Sequence, residues 1–237
     1  MNLLRIYDID GTITKPGNDL WYLTTRSLSS NPSLFDNYVE LWKNSMKNGA
    51  SPYEASKLMM QKGIECMGKN SNPSRIKQRA REVCEEIIQN NQYYSAAITH
   101  ICTSIDANFQ IVFSTTNYRE GAEAFVEILV ESALLKDYHQ EQIITSGTIV
   151  DWQMGAVTHF NMGEDKNIGI SKALNIPIDQ LSNQTNAVYG DDPKGNDVGI
   201  LSLSSKAFVI ANPKNSEVPI PANMIRTSWE DILENYF

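Results

Sequence analysis

The chain has 237 residues, of which 41% are hydrophobic, and its formal net charge is −8. This length suits one large α/β domain or a core domain with a smaller insertion. An acidic chain without a run of Lys or Arg argues against a nucleic-acid partner held through phosphates, and no apolar run approaches the roughly 20 residues of a membrane span.

The cysteines and the first residues bear on the compartment. Cys66, Cys84 and Cys102 form neither a disulfide framework nor a metal-site spacing, so we expect buried thiols on helices. The sequence enters its first predicted strand without a signal segment. We therefore expect a soluble, cytoplasmic protein, while export by a signal-independent route stays open.

The first predicted element is a short buried strand over residues 3–8, which leads into the sequence DIDGTIT. Side chains alternate along a strand, so Asp8 and Asp10 are expected to point to the same side. Two carboxylates at such a short distance repel each other unless a cation lies between them. Gly11 then suits a sharp exit from the strand. The pattern favours a binding site over a purely structural strand end.

Residues 15–91 differ in character and are predicted to form a helical insertion. Apolar residues at helical spacing follow three helix-start signals, at Asn31, Ser51 and Asn72, each with Pro next in the chain. No strand is predicted in this segment. The expected division places 1–14 and 92–237 in a core domain and 15–91 in a separate helical domain.

Strands and helices alternate after residue 92. A helix over 93–108 precedes a strand at 109–114, a helix at 121–135 and a strand pair, 142–151 and 156–163, that suits a hairpin. A helix follows at 167–176, and NAVYGDD and KAFVIAN read as strands, the second as the last one. This alternation predicts an α/β fold with a parallel sheet and helices on both faces.

Polar groups cluster where these predicted strands end, which is the edge where ligands bind in sheets of this kind. The groups are Asp8 with Asp10, Ser114 with Thr115, Lys166, and Asp191 with Asp192 and Asp197. Each alone is ordinary for a turn or a surface. Their order along successive strand ends points to one shared site.

These segments resemble the four motifs of the haloacid dehalogenase-like (HAD) hydrolase superfamily. DIDGTIT is similar to the first motif, VFSTTN to the second, Lys166 to the third and YGDDPKGND to the fourth. The chain is similar in particular to the phosphoserine phosphatase-like branch, in which a helical cap lies between the first two motifs. The resemblance implies a Rossmann-like three-layer core with an inserted α-helical cap at 15–91.

The resemblance implies a Mg²⁺-dependent phosphomonoester hydrolase for a small phosphorylated metabolite. It assigns Asp8 as the nucleophile that forms an aspartyl-phosphate, and Asp10 as the general acid and base. It implies that Mg²⁺ lies between Asp8, the Asp10 backbone carbonyl and Asp191. Lys166 would be a fixed cation that holds the nucleophile and the phosphate together.

The resemblance also implies a set of groups that bind the phosphate, and the fourth motif departs slightly from the commonest pattern of the family. Ser114 and Thr115, with the backbone N–H groups of Gly11 and Thr12, are expected to contact the phosphate. In the fourth motif two acids are adjacent and a third follows a longer spacer. Asp192 and Asp197 are expected to support the site rather than bind the metal directly. Asp197 would bind a metal-bound water or orient Lys166, and Asp192 would be exposed.

Several alternatives stay open at the level of sequence. A phosphomutase or phosphotransferase of the same superfamily keeps the second acid, and a binding or effector protein can retain the fold. The leaving group and the oligomeric state are not predicted. The aromatic and Met residues of the insertion are expected to form its own core: Trp21, Tyr22, Trp42, Tyr53, Met59 and Met60.

Overall fold

The structure of the chain, a computed structural model, describes residues 3–236. Within them, one sheet of seven strands has the order β4-β3-β2-β1-β5-β6-β7. The strands are β1 (Leu4–Tyr7), β2 (Gln110–Tyr118), β3 (Ile143–Asp151), β4 (Ala156–His159), β5 (Thr185–Gly190), β6 (Ala207–Ile210) and β7 (Met224–Thr227).

Helices form the rest of the regular structure in the described range. They are α1 (Leu20–Leu28), α2 (Pro32–Lys47), α3 (Pro52–Met67), α4 (Pro73–Gln89), α5 (Ser95–Asp106), α6 (Arg119–Glu131), α7 (Asp137–Gln140), α8 (Asp165–Leu174), α9 (Ile178–Gln184), α10 (Val198–Leu201) and α11 (Trp229–Asn235). None of them is both long and apolar enough to cross a membrane.

The first strand lies at the centre of the sheet and marks its switch point. β1 pairs in parallel with β2 on one side and with β5 on the other. All remaining pairs are parallel except the hairpin of β3 and β4, which is antiparallel. The strand order reverses at β1, so the crevice of the sheet opens beyond the carboxyl end of this strand. Asp8 is the next residue.

Helices cover both faces of the sheet, as the sequence predicts. Tyr7 of β1 points into an apolar cluster with α5 and α6, whereas its neighbour Ile6 points into a second cluster with α8, α9 and α10. Neighbouring residues of a strand face opposite sides, so a strand buried on both faces reads as a continuous apolar run. The three-layer α/β prediction is confirmed.

The segment between β1 and β2 carries the three predicted helices α2, α3 and α4. Each has Pro in its first turn, and the side chains of Asn31, Ser51 and Asn72 accept the N–H groups three residues on. α4 packs against α6, and α1 packs against α4. An isolated bridge joins Thr14 to Tyr93 across the two ends of the segment. The domain boundaries at 15 and 91 stay a prediction.

Five elements of the structure, β7, α1, α7, α9 and α11, are absent from the sequence prediction. The strand 206–212 is not the last, because β7 pairs in parallel with β6 at the sheet edge. The short, half-buried sequence MIRT carries a charged residue, so it lacks the apolar run by which the other strands are recognised. Helix α1 was not predicted either, since its two threonines are weak helix formers.

The cysteines lie on helices, as expected. Cys66 of α3 and Cys84 of α4 are buried, and Cys102 of α5 is half-buried. All three are free thiols.

Candidate active site

The loop that follows β1 presents Asp8 and Asp10. Asp8 is buried, and its N–H donates to the backbone oxygen of Tyr189 on β5 at 2.9 Å. Gly11 has a φ of +83°, and a Cβ at this position would clash with the carboxylate of Asp191. Glycine is therefore needed both for the backbone conformation and for the close approach of the two loops. The indole Nε1 of Trp229 donates to the backbone oxygen of Thr12 at 2.7 Å and ties the loop to α11.

The carboxylate of Asp10 is fixed by the start of α1. Its Oδ1 accepts the N–H of Leu20, the first residue of this helix, at 2.9 Å. Burial and the negative charges of Asp19 and Asp8 raise the pKa of Asp10 well above its usual value. A carboxyl group with a raised pKa keeps its proton at higher pH, which is what a general acid needs.

Lys166 is a buried cation between two carboxylates. It is the second residue of α8 and fully buried, and its Nζ donates to Asp8 Oδ1 at 2.7 Å and to Asp197 Oδ1 at 2.6 Å. Burial alone lowers the pKa of this lysine, but the charges of Asp197 and Asp8 outweigh it and raise the pKa above its usual value. Lys166 therefore stays charged and holds one oxygen of Asp8 in place.

Asp197 shapes the turn after β5 as well as holding Lys166. Its Oδ2 accepts the N–H groups of Asp191 at 2.9 Å and Asp192 at 3.0 Å. The expectation that Asp192 is exposed is wrong: it is half-buried, because its own Oδ2 turns back to accept the N–H of Asn196 at 2.9 Å. The turn GDDPKGND is thus closed by its own carboxylates.

Three carboxylates come together at the base of the site. One oxygen from each of Asp8, Asp191 and Asp197 lies within 4.8 Å of the others. Burial together with the neighbouring acids raises the pKa of Asp191 to about 8. Burial and the charge of Asp197 raise the pKa of Asp8 to about 7, against the opposing charge of Lys166. The carboxylate of Asp10 is not part of this group.

The donor set fits a hard divalent cation. Mg²⁺ binds carboxylate and carbonyl oxygens, and a cation between the acids would relieve the repulsion that raises their pKa values. The side chain of Asn212 donates to Asp191 Oδ2 at 2.8 Å, and that of Asn215 donates to the Asp191 backbone oxygen at 2.8 Å. These amides hold Asp191 in orientation, in the way that outer groups commonly orient metal ligands.

The expected phosphate-binding groups lie in the loop after β1 and in β2. Thr115 lines the cavity above Asp8, and Ser114 is fully buried. The N–H of Gly11 donates to Thr14 Oγ1 at 3.4 Å, and that of Thr12 to the Ile9 oxygen at 3.3 Å. Both bonds are long, so neither N–H is strongly engaged. Phosphate contact by these four residues stays a prediction.

Asn161 lies between a predicted strand and Lys166, a position from which the sequence predicts that it borders the pocket. It is fully buried, and its Nδ2 donates to Ser114 Oγ at 3.3 Å and to the Thr115 backbone oxygen at 2.8 Å. Because the Ser114 oxygen accepts this bond, its hydroxyl proton is available to another acceptor. Asn161 follows a short strand in HFNMG, and nothing in that sequence shows these bonds.

A cavity of about 330 Å³ opens from the carboxylates towards the helical segment. Its lining includes Asp8, Asp10, Asp19, Trp21, Tyr22, Val39, Trp42, Lys43, Ser56, Met59, Met60, Thr115, Thr116, Asn117, Phe160 and Lys214. Most of the aromatic and Met side chains predicted as cap core pack in apolar clusters and also line this cavity. Tyr53 packs in one of these clusters but is not part of the cavity lining, and its hydroxyl donates to Asp165 Oδ2 at 2.5 Å.

Comparison with known proteins finds similarity in fold but not in sequence. No family model matches the chain, and no curated protein matches it. Among solved structures, a phosphoserine phosphatase with a phospho-aspartyl intermediate analogue aligns over 98% of both chains, with TM-score 0.54 and 13% identity. A HAD family hydrolase from Salmonella enterica serovar Typhi aligns over 99% of this chain and 72% of its own, with TM-score 0.58 and 12% identity.

The chain has the haloacid dehalogenase-like fold. A protein of unknown function from Bordetella pertussis Tohama I shares it over 97% of this chain and all of its own, with TM-score 0.65 and 12% identity. In this fold Asp8 is the first residue after the central strand β1. At such low identity these neighbours bear on the fold alone.

Proposed function

We propose that the chain is a Mg²⁺-dependent phosphomonoester hydrolase that works through an aspartyl-phosphate on Asp8. The observation that carries the proposal is the buried contact of Lys166 with Asp8 and Asp197 beneath the cavity that also holds Asp10. A buried lysine paired with two acids, of which Asp8 lines a cavity, suits phosphoryl transfer, in which positioning and charge stabilisation do most of the work.

The first half of the reaction forms the covalent intermediate. Lys166 holds Asp8 Oδ1, which leaves Oδ2 as the oxygen that attacks phosphorus. The bond between phosphorus and the ester oxygen breaks, and Asp10 gives its proton to the departing alcohol. The N–H of Leu20 holds the Asp10 carboxylate during this transfer.

The second half of the reaction releases phosphate. Asp10, now ionised, takes a proton from water, and the resulting hydroxide displaces Asp8 from phosphorus. Asp8, Asp191 and the backbone oxygen of Asp10 would hold Mg²⁺, which supplies positive charge to the transferring phosphoryl group. Asp197 keeps Lys166 in place throughout, since it is bonded to both the lysine and the backbone of the turn.

The test is phosphate release from p-nitrophenyl phosphate with Mg²⁺ or with a chelator, in wild type and Asp8→Asn. We expect metal-dependent turnover that falls by about a thousandfold or more in the variant, the scale seen when a nucleophile is removed. Asp179→Asn is the matched control, because Asp179 is an exposed acid at the start of α9.

Two results would change the proposal. Full activity in Asp8→Asn rules out the aspartyl-phosphate. Label that passes from the substrate to an added alcohol rather than to water identifies a phosphotransferase or mutase with the same nucleophile.

A further inference from the structure

The cavity is polar at one end and apolar at the other. Asp8, Asp10 and Thr115 lie at the phosphate end. The opposite wall includes Met59, Met60 and Phe160, which are 4%, 3% and 2% exposed. A leaving group that extends from a phosphate on Asp8 therefore meets thioether and aromatic carbon rather than charge.

Three polar groups of this wall have partners within the protein, whereas Trp21 Nε1, Thr116 Oγ1 and Asn117 Nδ2, whose residues also line the cavity, are buried without one among the described residues. The indole Nε1 of Trp42 donates to Ser56 Oγ at 3.2 Å, and the hydroxyl of Tyr22 donates to Asp36 Oδ1 at 3.0 Å. Lys43 forms an ion pair with Glu40 at 2.7 Å. A charged leaving group placed against the buried Met and Phe side chains without a partner would be strongly unfavourable.

The second lysine of the cavity lies at the acidic end. Lys214 is exposed, and its charge acts on Asp19, the acid that caps α1. Its charge therefore lies near an acid of the cavity, Asp19.

Two other aromatic residues of the lining, Trp21 and Tyr22, are fixed by packing against Phe35. Phe35 packs edge-on against Trp21 with ring centroids 5.7 Å apart, and stacks with Tyr22 at 5.8 Å. Gly63 lets α3 approach closely, since a Cβ there would lie 3.2 Å from Trp21 Cζ2 and 2.9 Å from Thr25 Cγ2. A preformed aromatic surface binds a flat apolar group with little loss of its own freedom.

We propose that the substrate is a phosphomonoester whose leaving group is an uncharged, flat apolar or aromatic alcohol, bound between Trp42, Met59, Met60 and Phe160. This inference rests on the proposed function for its chemistry. Its binding part is tested separately.

The first test compares 2-phenylethyl phosphate with ethyl phosphate and O-phosphoethanolamine. All three release a primary alcohol, so intrinsic leaving-group reactivity is similar and differences report on the cavity. We expect kcat/KM for the phenyl compound to exceed both others by about tenfold or more, because burying one aromatic ring contributes at least the free energy that a tenfold change requires. Equal values for the phenyl and ethyl compounds would overturn the inference. A preference for a substrate with a charged leaving group, such as 3-phosphoglycerate, would also overturn it.

The second test uses binding without turnover. Calorimetry with wild type and Mg²⁺ compares 3-phenylpropylphosphonate with propylphosphonate, neither of which can be hydrolysed at phosphorus. We expect the phenyl compound to bind about tenfold more tightly or better. Discrimination between the phosphonates without turnover of any ester would reject the hydrolase and keep the ligand class. Equal affinities would reject the ligand class whatever the turnover.

A variant pair locates the effect. Trp42→Ala should reduce the phenyl-to-ethyl ratio of kcat/KM by about tenfold, towards one. Leu41→Ala, one residue away on α2 and 63% exposed, should keep the wild-type ratio. If Trp42→Ala does not fold, Met60→Gln replaces it, since Gln has a similar length and puts a polar amide into the same wall. An unchanged ratio in the folded variant overturns the assignment.

Discussion

At the scale of single residues, the balance of charge at the site is unusual. Lys166 is one cation beside the three grouped carboxylates, Asp8, Asp191 and Asp197. Its contacts go to Asp8 and Asp197, so within residues 3–236 the carboxylate of Asp191 has only the amide of Asn212 as a side-chain partner. The metal-free protein therefore carries repulsion in its folded state that the unfolded chain does not have.

We expect Asp191→Asn to make the metal-free protein more stable at pH 8.5. The folded pKa of Asp191 is raised to about 8, so ionising it costs free energy that develops between its ordinary pKa and pH 8. Removing the charge should raise the free energy of unfolding by about 1 kcal/mol or more. Asn still offers an oxygen to Asn212. Denaturant unfolding with a chelator measures the change.

The same variant should lose its response to Mg²⁺. A ligand that binds only the folded state raises the melting temperature, so wild type should be stabilised by added Mg²⁺ and Asp191→Asn much less. Asp179→Asn should respond like wild type. An Asp191→Asn protein that is less stable without metal and equally stabilised by Mg²⁺ would contradict both the repulsion and the ligand role.

The residues of the site differ in how far sequence reveals them. The sequence singles out Asp8 and Asp10 through DIDGTIT and Lys166 through its resemblance to the third motif. It places Asn161 near the predicted pocket, but it shows neither the bonds of Asn161 nor those of Asn212, because their partners Thr115 and Asp191 are 46 and 21 residues away and only the folded sheet brings them together. Hydrogen bonds of this kind leave no local pattern.

At the scale of elements, α8 is the helix that sets the position of Lys166. It packs against β3 and β2, and Gly169 faces the polar network beneath Ser114. A Cβ at Gly169 would clash with the side-chain oxygen of Asn161 and come within 2.6 Å of Ser146 Oγ. The close approach of this helix to the sheet therefore depends on one glycine, one turn after the lysine.

Gly169→Ala should impair both stability and activity. Alanine favours a helix over glycine by about 1 kcal/mol where nothing opposes it, but here α8 must shift away from the sheet. We expect a lower free energy of unfolding and a kcat/KM on p-nitrophenyl phosphate reduced by about tenfold or more, because small displacements of catalytic groups are costly. Denaturant unfolding and steady-state kinetics measure the two effects.

Lys172→Ala is the control within the same helix, since Lys172 is exposed on α8. It should retain wild-type activity. A Gly169→Ala protein that is more stable than wild type and fully active would show that the helix has room at this position.

Element prediction succeeds where local signals are strong. α2, α3 and α4 have Pro in the first turn and a capping side chain before it, and all three are found from the sequence. β7 lacks such signals: it is an edge strand whose pairing with β6 is decided by the sheet rather than by its own residues.

At the scale of the whole molecule, a buried polar cluster lies beneath the sheet and away from the cavity. His100 of α5 is fully buried, with Nδ1 3.0 Å from the Tyr7 hydroxyl and Nε2 3.2 Å from the Tyr189 hydroxyl. Arg5 lies 3.4 Å from the same Nε2. Burial, together with the charge of Arg5, lowers the pKa of His100 to about 3. The histidine is therefore neutral in the folded protein over the physiological range.

His100 should make the fold sensitive to acid. Its folded pKa lies below the ordinary value of 6.5, so its contribution is complete above pH 6.5 and is lost progressively as pH falls towards 3. The free energy of unfolding of wild type should fall, relative to His100→Gln, by up to about 1.4 kcal/mol per pH unit below pH 6. Denaturant unfolding from pH 7 to pH 4.5 gives this difference.

The comparison isolates the histidine because both proteins share every carboxylate. If the difference between wild type and His100→Gln does not change with pH, the folded protein accommodates the imidazolium. NMR titration of the ring in wild type provides a second check, since its signals should not shift down to pH 4.5.

The bond from Trp229 to the Thr12 backbone oxygen joins positions 217 residues apart. During synthesis Asp8 leaves the ribosome 158 residues before Lys166, the cation that holds it. The acidic loop is thus exposed on the nascent chain long before its lysine, its sheet neighbour β5 and the indole of Trp229 exist. Assembly of this site therefore requires segments that are synthesised late, and a ribosome-bound chain that stops short of α11 carries the loop without the contact that anchors it.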